Sequence, residues 1–116
     1  MLVNANCTIY EAAAGTYTRH EIRDVYWNDA RGRTVSKGGI QINDSVLVYL
    51  YDDTYVPKDG DLIVYGLVTF EFNAQSQPSV SDSMKLFRAQ FPKFAVVKNV
   101  DNAMYGGLPH IEVIAR

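Results

Sequence analysis

The sequence predicts a mainly β protein: a small antiparallel β-barrel or sandwich of about 6–8 strands, with one short helix at about residues 82–90. β-branched and aromatic residues, which suit pleated strands, are abundant and include eight Tyr and five Phe. Short runs of these residues alternate with turn-forming Gly, Asn, Asp and Pro. With 116 residues, the chain has the size of a single domain, residues 1–116.

The first predicted strands are alternating or apolar runs bounded by small and polar residues. They cover residues 6–10, 17–27, 33–35 and 40–42, the last of which leads into 45–51. The predicted breaks between them are residues 12–15, 28–32 and 36–39. The run at 17–27 is longer than an average strand, so we expect it to bend or to pair with two neighbours. The run at 45–51 is apolar at nearly every position, so we expect both faces to be covered, one by the core and the other by a neighbouring subunit.

The second half of the chain contains three more predicted strands. They cover residues 62–65, 94–100 and 110–115. We expect the first of them to continue through Phe70 and Phe72, because the apolar alternation continues that far. Residues 73–79 are polar and are predicted to form a loop.

One apolar stripe has helical spacing and predicts the single helix. Met84, Phe87 and Phe91 lie at positions i, i+3 and i+7, which places them on one side of a helix. Ser79 or Ser81 is the expected N-cap, because a serine hydroxyl can accept a hydrogen bond from a free backbone N–H of the first turn.

Charge and composition limit the classes of partner. The chain has 11 basic and 13 acidic side chains, so the total gives no hint of the basic face that nucleic-acid binding needs. We expect no nucleic-acid partner, except DNA that passes through a channel. A single cysteine, Cys7, excludes an internal disulfide and a multi-cysteine zinc site, and we expect it to be half-buried in a strand. No apolar stretch approaches the roughly 20 residues of a membrane span, and no signal peptide is expected at the start.

Catalytic or metal-binding groups are sparse. The two histidines, His20 and His110, each lie in an alternating strand pattern, without a helical partner for a metal site. Asp52 and Asp53 are adjacent, so in a strand their carboxylates would point to opposite faces. Residues 59–61 read as a turn, because the other ligands of a calcium loop are missing. We therefore predict no enzyme, no cofactor and no metal site. An enzyme would need a pocket in which a histidine meets a carboxylate with a strongly shifted pKa.

Tyrosines are concentrated around the apolar run at 45–51. Tyrosine is favoured at protein interfaces, although packing in the core or at sheet edges is the simpler interpretation. Base stacking would also require interleaved basic residues, and this segment has only Lys58. The predicted protein-interface residues are Val48, Tyr49, Tyr51, Tyr55, Arg33 and Lys37.

Several segments resemble a group of small phage and prophage proteins of Gram-positive bacteria. They are residues 2–10, 26–27, 34–35, 55–66, 105–107 and 110–113, so the resemblance spans nearly the whole chain. Its most specific part contains Pro57, Gly60, Asp61 and Gly66. Members of that group are usually labelled minor capsid or hypothetical structural proteins. Their size and strand order are similar to those of head-closure or head–tail connector proteins, which are small β-barrels that form rings beneath the portal.

This resemblance implies a function through assembly and transfers no catalytic residues. The expected protein is a virion structural subunit, made in the host bacterial cytoplasm and incorporated into the virion. Its expected partners are portal or adaptor proteins, tail proteins and further copies of itself in a ring, with the free protein a monomer until it docks. Two alternatives remain open at this point. One is a tail terminator or another tail component, and the other is a small β-barrel that binds a ligand or nucleic acid.

Overall fold

The computed structural model describes residues 3–13, 15–31, 36–37, 40–41, 45–72, 77–103 and 109–116. The strands are β1 Ala5–Ala13, β2 Thr16–Asp29, β3 Ser36–Lys37, β4 Ile40–Gln41, β5 Val46–Leu50, β6 Leu62–Tyr65, β7 Ala95–Ala103 and β8 His110–Ala115. Six of them form a closed antiparallel barrel in the order β1-β2-β5-β8-β7-β6, and β3 and β4 form a separate two-stranded antiparallel sheet. Over the described residues there is one helix, α1, which spans Gln77–Gln90. The predicted mainly β fold, with one short helix, is confirmed.

Strand β2 serves two neighbours, as its length predicts. Its first part pairs with β1 as far as Val25, and the part from Tyr26 onward pairs with β5. Asp24 has a φ of 58° at the change of partner, a left-handed conformation that Asp tolerates better than most residues. The Asn6 side chain accepts a hydrogen bond of 2.9 Å from the Asp24 backbone N–H. This irregularity lets one chain segment turn from one side of the barrel to the next.

The barrel interior is filled by alternate side chains of every strand. In β5 the inward residues are Val46, Val48 and Leu50, each with no exposed surface. Burial of such a side chain is worth about 1.5–3 kcal/mol. The outward residues of the same strand, Leu47 and Tyr49, remain partly exposed. The apolar run at 45–51 thus has one face in the core, and its second face is not fully covered by the described residues.

A second apolar cluster lies outside the barrel, between its wall and helix α1. Its buried members are Tyr10 of β1, Leu62 and Val64 of β6, and Phe87 of the helix. Partly buried residues complete it: Tyr17, Val68, Phe70, Phe72, Met84, Phe91, Phe94 and Val96. The ring of Phe87 contacts that of Tyr10 at a centroid distance of 5.1 Å, in an edge-to-face arrangement that aromatic pairs favour. The predicted stripe of Met84, Phe87 and Phe91 therefore does face a core.

The helix begins earlier than predicted. It starts at Gln77, so Ser79 and Ser81 lie inside it and are not N-caps. Pro78 explains the difference, because proline is well suited to the first helical turn, where its missing N–H would have no partner.

Residues 66–72 form a strap over β1, and the predicted strand through Phe70 and Phe72 is wrong. Gly66 turns the chain out of β6 with a φ of 85°. Side chains then hold the strap's backbone. The Thr8 hydroxyl donates to Gly66 O at 2.8 Å and accepts from Val68 N at 3.0 Å. The Tyr10 hydroxyl donates to Phe70 O at 2.7 Å, and Arg19 donates to Val68 O at 3.1 Å.

All three breaks predicted in the first half of the chain also differ from the structure. Asn28 and Asp29, expected in a turn, pair with Leu47 and Val46 at the end of β2, because β5 supplies a partner strand there. Ala12 and Ala13 were expected in a loop, but they pair with Tyr17 and Thr16 in the β1–β2 hairpin. The small side chains accept strand geometry here because the partner strand supplies their hydrogen bonds. Ser36–Lys37, expected in a break, forms β3. The predicted strand at 33–35 lies outside the described residues.

Candidate functional site

A buried carboxylate organises the loop between β5 and β6. Asp61 has no exposed surface and accepts three hydrogen bonds: from Ala12 N at 3.0 Å, from the Tyr55 hydroxyl at 2.5 Å and from Lys58 N at 3.1 Å. These bonds fix the loop against the end of β1. Burial, and then the hydrogen bond to the Asp61 carboxylate, raise the pKa of Tyr55 well above its usual range. The acid is thus occupied by structural contacts.

A histidine and a second carboxylate lie beside this loop. His20 Nε2 is 2.9 Å from Glu11 Oε1, and the His20 ring stacks on Tyr55 at a centroid distance of 4.1 Å. The Lys58 ammonium is 3.5 Å from the other oxygen of Glu11. The hydrogen bond from His20 lowers the pKa of Glu11, whereas a general base works best with a pKa near the operating pH. This geometry favours a role in holding the loop rather than in proton transfer.

The other histidine belongs to the outer surface of the barrel. His110 Nε2 is 3.2 Å from Glu112 Oε1, and its ring packs against Tyr49 at a centroid distance of 4.9 Å. Among the residues that the structure describes, no group of three or more His, Cys, Asp and Glu side chains is arranged to hold a metal ion. Over the same residues, no helix is long and apolar enough to cross a membrane.

A row of aromatic and acidic side chains runs across the outside of the barrel. Tyr26 pairs with Tyr49, Tyr49 with Glu112, and Glu112 with Asp101, so four neighbouring strands contribute. Residues paired in this way point to the same face of the sheet. The two tyrosine rings are 5.3 Å apart. Burial, and then the Glu112 carboxylate, raise the pKa of Tyr49.

This row is part of a larger surface with an uneven charge. The adjacent pair of Leu47 and Ile114 adds apolar area, and neither of these residues belongs to the two hydrophobic clusters of the described chain. Glu112 and Asp101 are directly opposite each other on β8 and β7, which is unfavourable for like charges. We call this surface the sheet face, defined by Tyr26, Leu47, Tyr49, Asp101, Glu112 and Ile114. The part of the sheet face on β7 and β8 is therefore acidic.

The predicted interface residues are distributed over several places. Tyr49 lies at the centre of the sheet face, and Tyr51 follows β5 with its side chain partly exposed. Val48 points into the barrel with no exposed surface, so its side chain is not available to a partner unless the barrel opens. Tyr55 packs against the barrel core and binds Asp61.

The remaining two predicted interface residues are basic. Lys37 lies in β3, where the structure describes the backbone, and Arg33 lies outside the described residues. Sequence reasoning missed the acidic members of the sheet face. The alternation in His110–Ala115 could have indicated that Glu112 points outward, but its neighbour Asp101 depends on the strand register.

A second surface feature is a groove of about 430 Å³ at the end of the barrel where β2 and β6 finish. Trp27 and the Tyr65 side chain form one wall, with ring centroids 5.4 Å apart, and Tyr65 is 60% exposed. Arg31 lines the groove and is held by Asp29 at 2.8 Å and by the backbone oxygen of Phe94 at 2.8 Å. The hydrogen bond from Arg31 lowers the pKa of Asp29. The groove is therefore an apolar depression with a fixed charged edge.

Comparisons with known proteins assign the chain to a family without assigning it a function. No curated protein matches the sequence, and no solved structure matches it either. The family described as "Family of unknown function (DUF6751)" matches residues 2–116, which is nearly the full length. The chain therefore belongs to this family of unknown function, DUF6751.

Proposed function

We propose that this protein is a structural subunit of a phage virion that joins head and tail by protein–protein contacts. The sheet face is the observation that carries the proposal. It combines partly exposed tyrosines and aliphatic residues with two carboxylates on the wall of a closed barrel. Tyrosine in such a setting provides a large contact area at a low cost in side-chain entropy.

The internal polar groups support the same proposal. The Asp61 carboxylate is used by three donors that fix a loop, and Glu11 binds both His20 and Lys58. These contacts give a rigid body, which suits a component whose role is to present a surface. The resemblance of residues 55–66 to small phage structural proteins supplies the expected partners, which are portal or adaptor proteins, tail proteins and further copies of the chain.

The test uses the phage or prophage whose genome encodes the chain. We expect purified particles to contain the protein by mass spectrometry. We expect deletion of its gene to give filled or leaking heads that lack tails in electron micrographs. A plasmid copy should restore complete particles. Complete, infectious particles that lack the protein would refute the proposal.

The position in the virion is settled by a second measurement. The purified protein is mixed with purified portal rings or with tail tubes from the same phage, and the complexes are imaged by electron microscopy. Density beneath the portal supports the connector position, and density only on tail tubes supports the tail alternative. A shift of labelled DNA at moderate salt, without binding to either structure, would favour the nucleic-acid alternative instead.

A further inference from the structure

We infer that the sheet face of one copy binds the outer side of helix α1 of the next copy, so that identical subunits associate head to tail. A ring built from this contact rests on the proposed function. The pairing of the two surfaces can be measured independently of that function. The inference depends on the relative position, the apolar residues and the charges of the two surfaces.

The two surfaces lie on opposite sides of the same barrel. Helix α1 packs over β1 and β6 through Phe87, which contacts Tyr10 and belongs to the same buried cluster as Leu62 and Val64. In the closed order β1-β2-β5-β8-β7-β6, β8 lies across the barrel from β1, and β5 lies across from β6. Tyr49 and Glu112, at the centre of the sheet face, belong to β5 and β8. One copy can therefore use both surfaces at once, each with a different neighbour.

The helix presents an exposed apolar residue between charges. Leu86 is 59% exposed, although it lies next to the fully buried Phe87. Lys85 and Arg88 are also exposed and lie three residues apart, so they are neighbours on the outer side of the helix. Asp82 lies one turn before Lys85. The outer side thus carries one apolar contact residue and a net positive charge.

The sheet face provides the complementary features. Leu47, Tyr49 and Ile114 are partly exposed and can receive an apolar side chain such as Leu86. Asp101 and Glu112 are paired across β7 and β8, so this side of the sheet face carries two carboxylates, of which Glu112 also contacts His110 at 3.2 Å. A lysine and an arginine from a neighbouring helix would be attracted to these two carboxylates. Charge complementarity of this kind fixes the orientation of partners.

The symmetry of the contact follows from the use of two different surfaces. A contact between unlike patches of identical chains is heterologous, and it generates a ring when the rotation closes. We expect the portal to arrange the copies and so to impose the rotation that closes the ring. The same geometry explains how the free chain can remain monomeric, because a single pairing of modest area is weak without a template.

Mixed cysteine variants test the pairing directly. Tyr49→Cys and Leu86→Cys are prepared separately, and Cys7 does not interfere because it is fully buried. The variants are treated with a short bismaleimide, alone and mixed, at high concentration and after binding to portal rings. We expect a cross-linked heterodimer in the mixture and at least about tenfold less product in either variant alone. A strong Leu86–Leu86 product, or equal yields in all three samples, would overturn the inference.

A charge exchange tests the electrostatic part. Asp101→Lys in the Tyr49→Cys chain should reduce the heterodimer yield, and Lys85→Glu in the Leu86→Cys chain should restore it. The matched control is Asp59→Lys, which makes the same charge change at an exposed turn away from the sheet face. Circular dichroism confirms that each variant is folded. Failure of the restoring exchange, with both chains folded, contradicts the assignment of these partners.

The result separates this inference from the proposed function. Binding to portal rings without a heterodimer product refutes the helix-to-sheet pairing and leaves the connector role standing. A heterodimer without any binding to virion components supports the pairing and counts against the connector role. If neither the heterodimer product nor binding to virion components is observed, both the helix-to-sheet pairing and the connector role are refuted.

Discussion

Replacement of the buried Asp61 tests the stabilising role assigned to its hydrogen bonds. Asp61→Asn keeps the shape of the side chain, but its NH₂ group cannot accept the bonds that Oδ2 now accepts from the Tyr55 hydroxyl and from Lys58 N. The bond from Ala12 N to Oδ1 can be retained. Each of the two altered bonds to a charged group is worth about 1.5–3 kcal/mol. The Tyr55 hydroxyl can reorient and recover part of its contact, so we expect the free energy of unfolding to fall by about 3 kcal/mol, the lower end of the combined range.

The assay is equilibrium urea unfolding of Asp61→Asn, followed by far-UV circular dichroism at pH 7. The matched control is Asp59→Asn, which removes an exposed carboxylate from the same loop and should change stability by no more than about 0.5 kcal/mol. In a thermal scan, the Asp61 variant should melt about 10–15 °C lower. An Asp61→Asn stability within about 0.5 kcal/mol of the control would show that the two hydrogen bonds to Oδ2 do not hold the loop.

Three further predictions concern the cores and the ionisable groups. Phe87→Ala should lose about 3–5 kcal/mol in urea unfolding, because it empties the centre of the outer aromatic cluster, whereas the neighbouring Leu86→Ala should change little. Burial raises the pKa of the Cys7 thiol to about 12, so the native thiol should resist alkylation at pH 8. The unfolded thiol has a pKa of about 8.5, so the stabilisation from keeping the Cys7 thiol protonated should be fully present below that pH. The free energy of unfolding should then fall by about 2 kcal/mol by pH 10. The Arg31 contact lowers the pKa of Asp29. The contribution of the Asp29 carboxylate to the free energy of unfolding should therefore be present above about pH 4 and be lost as the pH falls further.

Each of these predictions has a clear contrary result. Equal losses for the Phe87 and Leu86 variants would contradict the burial difference along the helix. Cys7→Ala removes the thiol, so its stability should decline less than that of the parent between pH 8.5 and 10, and parallel curves would contradict the linkage. Asp29→Asn should flatten the acid side of the stability profile, and an unchanged profile would remove Asp29 as a contributor.

Local patterns predicted the strands and the helix well where the apolar spacing of a segment matched its position between neighbours in the fold. The strand His110–Ala115 was predicted with the bounds that the structure has, and Leu62–Tyr65 was predicted with the correct start but was expected to continue through Phe72. Both have apolar residues that alternate or fill a short run, and each lies between two barrel neighbours. The helix was predicted from Phe87 and its stripe because helical spacing is a local property.

Distant side chains explain where the sequence was misleading. The alternation through Phe70 and Phe72 resembles that of a strand, but Thr8, Tyr10 and Arg19 capture the backbone of residues 66–72 from strands far away in the chain. A local pattern contains no information about such partners.

The candidate site was predictable only in part for a similar reason. Tyr49 was predicted at an interface from the excess of tyrosines, and it lies at the centre of the sheet face. Val48 next to it points inward, since successive strand residues alternate and the sequence alone did not fix which set faced the core. Asp61 was read as a turn residue, and its burial depends on Ala12 and Tyr55, which only the folded chain brings to it.

The closure of the barrel determines what kind of self-association is open to its strands. Each of the six strands has a hydrogen-bonded neighbour on both sides over part of its length, so among the described residues only segments of strands, such as β2 in its first part, have a side without a strand partner. This closed order limits the edges at which copies of the chain could stack as cross-β fibres. Contacts through the fully paired part of the barrel wall are made by side chains, and those between charged side chains weaken as the ionic strength rises.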